Sequence, residues 1–171
     1  MSLQITVVGD STADGEKYNF CLKLGKLLAG MKVVVLTGGR SGVMEAVCRG
    51  AFEAGGITVG ILPGPSSGEA NPFCRVVIPT GMGHGRNILT ILPADLVIAI
   101  GGKAGTLSEM CFAWIHKKPM IVVRKFGGWA EKLAWKRIDE RGTDPVIEVN
   151  SLEEIREVIS KLIQEKSIRK G

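Results

Sequence analysis

The chain has 171 residues, of which 45% are hydrophobic, and a formal net charge of +5. This length fits one domain with one core, so we expect a single domain over residues 1–171. No apolar stretch approaches the length of a membrane span, and the mild positive charge with only 5% aromatic residues argues against a nucleic-acid partner.

The start of the chain and its cysteines indicate the compartment. The N-terminus enters an apolar run at once, without a basic lead or a cleavable apolar segment, which predicts a cytoplasmic protein. The four cysteines, Cys21, Cys48, Cys74 and Cys111, form no CxxC pair, and the chain has only two histidines. We therefore expect reduced thiols, no disulfide framework and no metal site.

Short apolar runs alternate with amphipathic segments along the chain. The predicted strands are residues 5–9, 33–36, 58–62, 75–78, 96–100, 120–123 and 146–149. The predicted helices are residues 16–31, 42–54, 86–92, 106–116, 129–141 and 151–165. This alternation predicts a Rossmann-like, doubly wound α/β fold, with a mostly parallel seven-stranded sheet and helices on both faces.

Glycine-rich turns follow four of the predicted strands. They lie at residues 9–11, 38–42, 81–85 and 101–105. In parallel sheets, ligands bind beyond the carboxyl ends of the strands. All four turns can therefore converge on one edge of the sheet and form a ligand site there.

The turn after the fifth strand is the strongest functional signal. A glycine-rich turn that opens a helix presents unpaired backbone N–H groups and the positive end of the helix dipole, which suit a phosphate. Glu109, one turn into that helix, is placed to act on the group that carries the phosphate. The predicted phosphate-binding residues of this turn are Gly101, Gly102, Lys103, Ala104, Gly105 and Thr106.

The turn after the second strand has two interpretations. It contains Gly38, Gly39, Arg40, Ser41 and Gly42. Its glycines could serve close packing of helix on sheet, or the turn could contact a ligand through Arg40 or Ser41. We do not expect a conventional NAD site, because the GxGxxG spacing is absent and no acidic residue follows the third strand.

The loop before the third helix supplies a further candidate group. Arg86 opens a helix, where its positive charge opposes the helix dipole, so helix stability does not explain it. We interpret Arg86 as a guanidinium held for an anionic group, the alternative being a solvated arginine. Gly83 and His84 precede it; His84 is either a proton shuttle or, as we favour, a loop residue that touches ligand or solvent.

Three segments, Thr37 to Met44, Gly85 to Asn87 and Gly101 to Glu109, together resemble the motifs of the "lonely guy" proteins, long labelled "possible lysine decarboxylase". Characterised members are homodimeric Rossmann-like enzymes that hydrolyse the N-glycosidic bond of nucleoside 5′-monophosphates, releasing base and ribose 5-phosphate. The resemblance implies that Arg86 and Glu109 are catalytic. It also implies a phosphate-binding role for Gly101, Gly102, Gly105 and Thr106, and a homodimer or higher homo-oligomer.

The chain departs from the enzymes' pattern at four positions. It has Ile100 for proline, Asn87 for lysine, Ser108 for the first of two glutamates and Glu45 for glycine. These changes indicate a divergent branch, which also resembles molybdenum-cofactor carrier proteins. Such proteins bind a pterin phosphate without turning it over.

Two functions are therefore expected from the sequence. The leading one is hydrolysis of a nucleoside monophosphate, with Glu109 acting on the ribose and Arg86 positioning the substrate. The alternative is a non-catalytic binding protein for a phosphorylated ligand, either a molybdenum-cofactor carrier or a nucleotide sensor. No lysine has a context that suits pyridoxal phosphate, so we expect neither a lysine decarboxylase nor a bound cofactor.

Overall fold

The computed structural model describes residues 2–141 and 146–168, with side chains described up to residue 165. In this part of the chain, seven strands form one sheet in the order β4-β3-β2-β1-β5-β6-β7, and every neighbouring pair is parallel. The strands are Gln4–Gly9 (β1), Val34–Thr37 (β2), Ile57–Leu62 (β3), Val76–Pro79 (β4), Leu96–Ile100 (β5), Met120–Val123 (β6) and Ile147–Val149 (β7). The predicted fold class is confirmed.

Helices cover both faces of the sheet. They are Gly15–Gly30 (α1), Val43–Glu53 (α2), Asn87–Ile91 (α3), Ala104–Ile115 (α4), Gly128–Leu133 (α5) and Leu152–Ile168 (α6). One apolar cluster joins α1, α2 and α6 to one face, and a second joins α3, α4 and α5 to the other. Within the described residues, no helix is both long and apolar enough to cross a membrane.

The predicted helix over residues 129–141 is wrong in its second half. The helix ends at Leu133, because Ala134 is extended (ψ 129°) and Trp135 has a left-handed φ of 58°. The backbone N–H of Trp135 donates to Val146 O, and Val146 N–H donates to Lys136 O. These bonds replace the helical ones and direct the chain toward β7.

Helices α1 and α2 touch through their backbones. A Cβ atom added to Gly50 would overlap the Leu22 carbonyl, and one added to Gly25 would overlap the Val47 carbonyl. Backbone atoms can relieve such an overlap only if the helices separate. The two glycines therefore set how closely α1 approaches α2, the helix whose N-terminus reaches the site described below.

We expect Gly50→Ala to lower the free energy of unfolding by about 1 to 3 kcal/mol, the usual cost of overpacking a core. Gly30→Ala is the matched control, because nothing lies within 4 Å of a Cβ atom at this α1 position. Urea denaturation of both variants measures the difference. Equal stabilities for the two variants would show that the helices separate without cost.

Candidate functional site

A cavity of about 640 Å³ opens at the carboxyl edge of the sheet, where the strand order reverses between β1 and β5. Five connections reach it: the turns after β1, β2 and β5, the start of the loop after β3 at Pro63, and the 3₁₀ turn Gly83–Arg86 that precedes α3. Its volume is in the range of small-molecule sites, about 300–1,000 Å³. The position is the one expected for ligands in doubly wound sheets.

The cavity brings together most of the residues singled out in the sequence. Those that line it are Gly38, Arg40, Ser41, Gly83, His84, Arg86, Lys103, Gly105, Thr106 and Glu109. Five other predicted site residues are not among the described residues that line the cavity: Gly39, Gly42, Gly101, Gly102 and Ala104. A ligand-binding role for either group stays a prediction, but the four glycines of the second group pack closely against neighbouring atoms.

The Gly101–Gly102 turn is held by contacts within the protein. The Gly102 N–H donates to Asp10 Oδ1 (3.0 Å), and a Cβ atom at Gly101 would overlap Asp10 Oδ2. The backbone N–H groups of Trp129 and Ala130 donate to the carbonyls of Gly102 and Gly101. These two glycines are thus explained by close packing, which our sequence interpretation did not foresee.

Asp10 fixes the start of α4 from a distant part of the chain. Its Oδ2 atom accepts from Lys17 Nζ at 2.6 Å, while its Oδ1 atom accepts from Gly102. The Thr106 hydroxyl donates to Gly9 O at 3.1 Å. Asp10 and Thr106 therefore tie the first turn of α4 to the end of β1 and aim its N-terminus at the cavity.

Positive charge predominates around the cavity. The N-termini of α2 and α4 both reach it, through Met44 and Gly105, and each contributes the positive end of a helix dipole. Arg40, Arg86 and Lys103 add three cationic side chains, against the carboxylates of Asp10, which is paired with Lys17, and Glu109. This arrangement suits an anionic group.

Arg86 and Glu109 form a buried pair on the cavity wall. Arg86 Nη1 lies 3.4 Å from Glu109 Oε1, and the two residues are 8% and 7% exposed. Burial raises the pKa of Glu109 to about 7, although Arg86 and the Thr90 hydroxyl, 3.2 Å away, both lower it. Burial likewise lowers the pKa of Arg86. Glu109 is thus poised to gain or lose a proton near neutrality.

The Arg86 guanidinium lies directly on the backbone of Gly38. A Cβ atom at Gly38 would lie 2.7 Å from both Arg86 Nη1 and Met44 Sδ. Buried Arg86 Nε has no hydrogen-bond partner among the described residues. Gly38 therefore makes room for the arginine, whose Nε–H stays a buried donor without a partner among the described residues.

The family model described as the SLOG cluster4 family matches residues 2–156. The chain belongs to the SLOG cluster4 family. This match covers every connection that lines the cavity, so the site is part of the family's shared domain.

Two molybdenum-cofactor proteins and one phosphoribohydrolase are among the relatives of this SLOG cluster4 protein. The molybdenum cofactor binding protein of Rippkaea orientalis has a TM-score of 0.84 and 33% identity, covering 95% of this chain and 98% of its own. The molybdenum cofactor carrier protein of Chlamydomonas reinhardtii has a TM-score of 0.81 and 30% identity, covering 95% and 99%. The cytokinin riboside 5′-monophosphate phosphoribohydrolase of Mycobacterium tuberculosis is 28% identical over 153 residues, 79% of this chain and 82% of its own. Both halves of the resemblance drawn from the motifs are confirmed.

In this SLOG cluster4 protein, two of the departures from the lonely guy pattern touch each other. Asn87 Nδ2 donates to Ser108 Oγ at 2.7 Å, and Ser108 Oγ donates to Gly105 O at 2.7 Å. In the lonely guy pattern that the sequence resembles, these two positions are a lysine and a glutamate. A neutral hydrogen bond thus takes the place of two charged groups beside Arg86 and Glu109.

The sequence interpretation missed several residues of the site. Asp10 and Asn87 line the cavity together with Val8, Gly9, Ser11, Thr12, Met44 and Pro63. A signal for Asp10 was present, since it follows a strand in the glycine-containing turn 9–11. The described residues contain no group of three His, Cys, Asp or Glu side chains that could hold a metal ion.

Proposed function

We propose that this protein binds a phosphorylated pterin of the molybdenum-cofactor class and holds it without chemical turnover. The observation that carries this choice is the neutral Asn87–Ser108 contact beside the Arg86–Glu109 pair. It stands where hydrolytic members of the wider family have two further charged residues. The choice reverses the order of the two functions expected from the sequence.

The cavity supports the phosphorylated character of the ligand. The first-turn N–H groups of α4 have no partner within the helix, and a phosphate at this end would meet them together with Lys103 and Arg40. The turn at Gly101 is already held by Asp10, so the anion site would lie over Lys103 to Thr106. Arg86 lines the same cavity and would add its positive charge to the anion site.

The named relatives favour a pterin as the ligand. The two named molybdenum-cofactor proteins match over 95% of this chain, whereas the phosphoribohydrolase matches over 79% at lower identity. The cavity of about 640 Å³ lies within the usual range for sites that bind small molecules.

Hydrolysis of a nucleoside monophosphate is the second candidate, and the Arg86–Glu109 pair favours it. Cleavage of the bond between base and ribose develops positive charge on the ribose, and water then adds to the anomeric carbon. A carboxylate whose pKa is about 7 could stabilise that charge and accept the proton of the water. Arg86 would hold the substrate in place.

We expect Lys103→Ala and Arg40→Ala each to weaken binding of the phosphorylated pterin about tenfold, because each removes a charge-assisted contact with the phosphate. Arg156→Ala is the control, since it removes an exposed arginine of α6 that does not line the cavity. The probe is pterin released from a molybdoenzyme, titrated before and after phosphatase treatment. Equal affinity for the two forms would contradict the phosphate site.

The two functions are separated by a second assay on the same protein. Free-base release is measured over a panel of nucleoside 5′-monophosphates for the wild type and for Glu109→Gln. Pterin binding without base release supports the carrier. Base release that is lost in Glu109→Gln establishes the hydrolase instead.

A homodimer belongs to the same proposal, because the lonely guy resemblance implies one. The edge strand β4 and the loop after it leave Val76, Ile78 and Met82 about half exposed, which offers apolar surface for self-association. Light scattering on the purified chain measures the oligomeric state.

A further inference from the structure

Two cysteines lie in contact behind the turn that carries Arg40. Cys48 is buried in α2, and Cys74 is partly buried just before β4. Their Sγ atoms are 3.9 Å apart, although 25 residues separate them in the chain. The proposed pterin site uses neither of them, so the pair needs an explanation of its own.

The surroundings of Cys48 favour its thiolate. Thr37 Oγ1 lies 3.4 Å from Cys48 Sγ and accepts the Gly39 N–H at 3.0 Å, which leaves the hydroxyl proton free to point at the sulfur. The hydrogen bond from Cys74 lowers the pKa of Cys48, with help from Thr37 and Asn71. Donating that bond raises the pKa of Cys74. Two donor groups, Thr37 Oγ1 and Cys74 Sγ, thus face the Cys48 sulfur, and this geometry favours Cys48 as the thiolate of the pair.

The other two cysteines have different surroundings. Burial raises the pKa of Cys21 to about 12 and also raises the pKa of Cys111. Both therefore stay protonated at neutral pH and react slowly with oxidants. They serve as internal controls for any reaction of the pair.

We propose that Cys48 and Cys74 form a reversible redox pair that hydrogen peroxide converts to a disulfide in the folded protein. The Cys48 thiolate attacks one peroxide oxygen and breaks the O–O bond. Hydroxide departs, and Cys48 becomes a sulfenic acid. Cys74 sulfur then attacks Cys48 sulfur and displaces water, after losing its own proton. Two thiols and one peroxide thus give one disulfide and two waters.

The disulfide would act on the ligand site through Asn71. An S–S bond is about 2.05 Å long, so closing the 3.9 Å gap must draw the segment around Cys74 and α2 together. Asn71 N–H donates to Gly39 O, and Asn71 Nδ2 donates to Arg40 O at 3.0 Å. Cys74 Sγ also lies over Gly60, which packs on Gly39. Movement of this segment would displace Arg40, and the expected loss of affinity rests on the proposed function.

The disulfide is tested by peptide mass spectrometry after peroxide treatment of the folded chain and alkylation of the remaining thiols. We expect a cross-linked peptide that joins Cys48 to Cys74, with Cys21 and Cys111 alkylated. In Cys74→Ser, Cys48 should instead be trapped as a sulfenic acid by dimedone. Alkylated Cys48 and Cys74, or a cross-link that forms only in urea, would overturn the redox pair.

The coupling is tested by titrating the phosphorylated pterin into reduced and oxidised protein. We expect oxidation of the wild type to weaken pterin binding about fivefold or more, and dithiothreitol to restore it. The affinity of Cys74→Ser should not change in this way on oxidation and reduction. Unchanged affinity of the cross-linked protein would overturn the coupling between the disulfide and the ligand site, but not the disulfide itself. Failure of the reduced protein to bind would overturn the proposed function, while the mass measurement still decides the disulfide.

Discussion

Replacing Arg86 with alanine should lower the free energy of unfolding at pH 8 by about 1 to 2 kcal/mol, because Glu109, whose pKa is about 7 with Arg86 in place, must then take up a proton to remain buried. Glu109 is 7% exposed and keeps Thr90 as its remaining polar neighbour. The same change should abolish ligand binding, since Arg86 supplies one of the three cationic side chains that line the cavity. Urea denaturation and pterin titration measure the two effects.

The double variant Arg86→Ala with Glu109→Gln separates charge from packing. With Glu109 neutral, most of the lost stability should return, while binding stays absent. At pH 5, where Glu109 is protonated in the folded protein, the Arg86→Ala variant should lose much less stability than at pH 8. If Arg86→Ala lost the same stability at both pH values, and lost as much with glutamine at position 109 as with Glu109, Arg86 would stabilise the fold through packing on Gly38.

The second large effect is a pH-dependent stabilisation by Glu109→Gln. The pKa of Glu109 is about 7 in the folded protein, against an ordinary value of 4.5, so the folded state binds a proton that the unfolded state has released between these values. The stability contributed by the protonated carboxyl is therefore complete below pH 4.5 and is lost as the pH rises to 7. The total loss is about 3 kcal/mol.

Glutamine lacks this proton equilibrium, so the variant should be more stable than the wild type at pH 8 and close to it at pH 4.5. Denaturation curves across this pH range measure the difference. Glu157→Gln, which changes an exposed glutamate of α6, is the control and should follow the wild type. A Glu109→Gln curve parallel to the wild type would show that Glu109 ionises normally. Increased stability together with lost function is typical of residues kept for a site.

The order of helices and strands was predictable, because each helix or strand has a recognisable pattern within a short stretch of sequence. Buried parallel strands appear as apolar runs, and helices as periodic patterns, so the fold class followed without tertiary information. The convergence of the glycine-rich turns followed from the rule for parallel sheets. The helix predicted over residues 129–141 failed because Trp135 bonds to Val146, a contact that no local pattern encodes.

The residue pattern alone was enough to derive the α/β fold, the edge of the sheet that carries the candidate site, and Arg86 and Glu109 as its candidate reactive groups. Which groups meet became visible only in three dimensions. Asp10 holds Gly102 across 92 residues, Asn87 bonds to Ser108, and Cys48 touches Cys74. Such contacts depend on how the strands are ordered in space, and the pKa of Glu109 depends on burial by residues from several elements. Neither property is present in a local window of sequence, because both arise only when distant segments pack together.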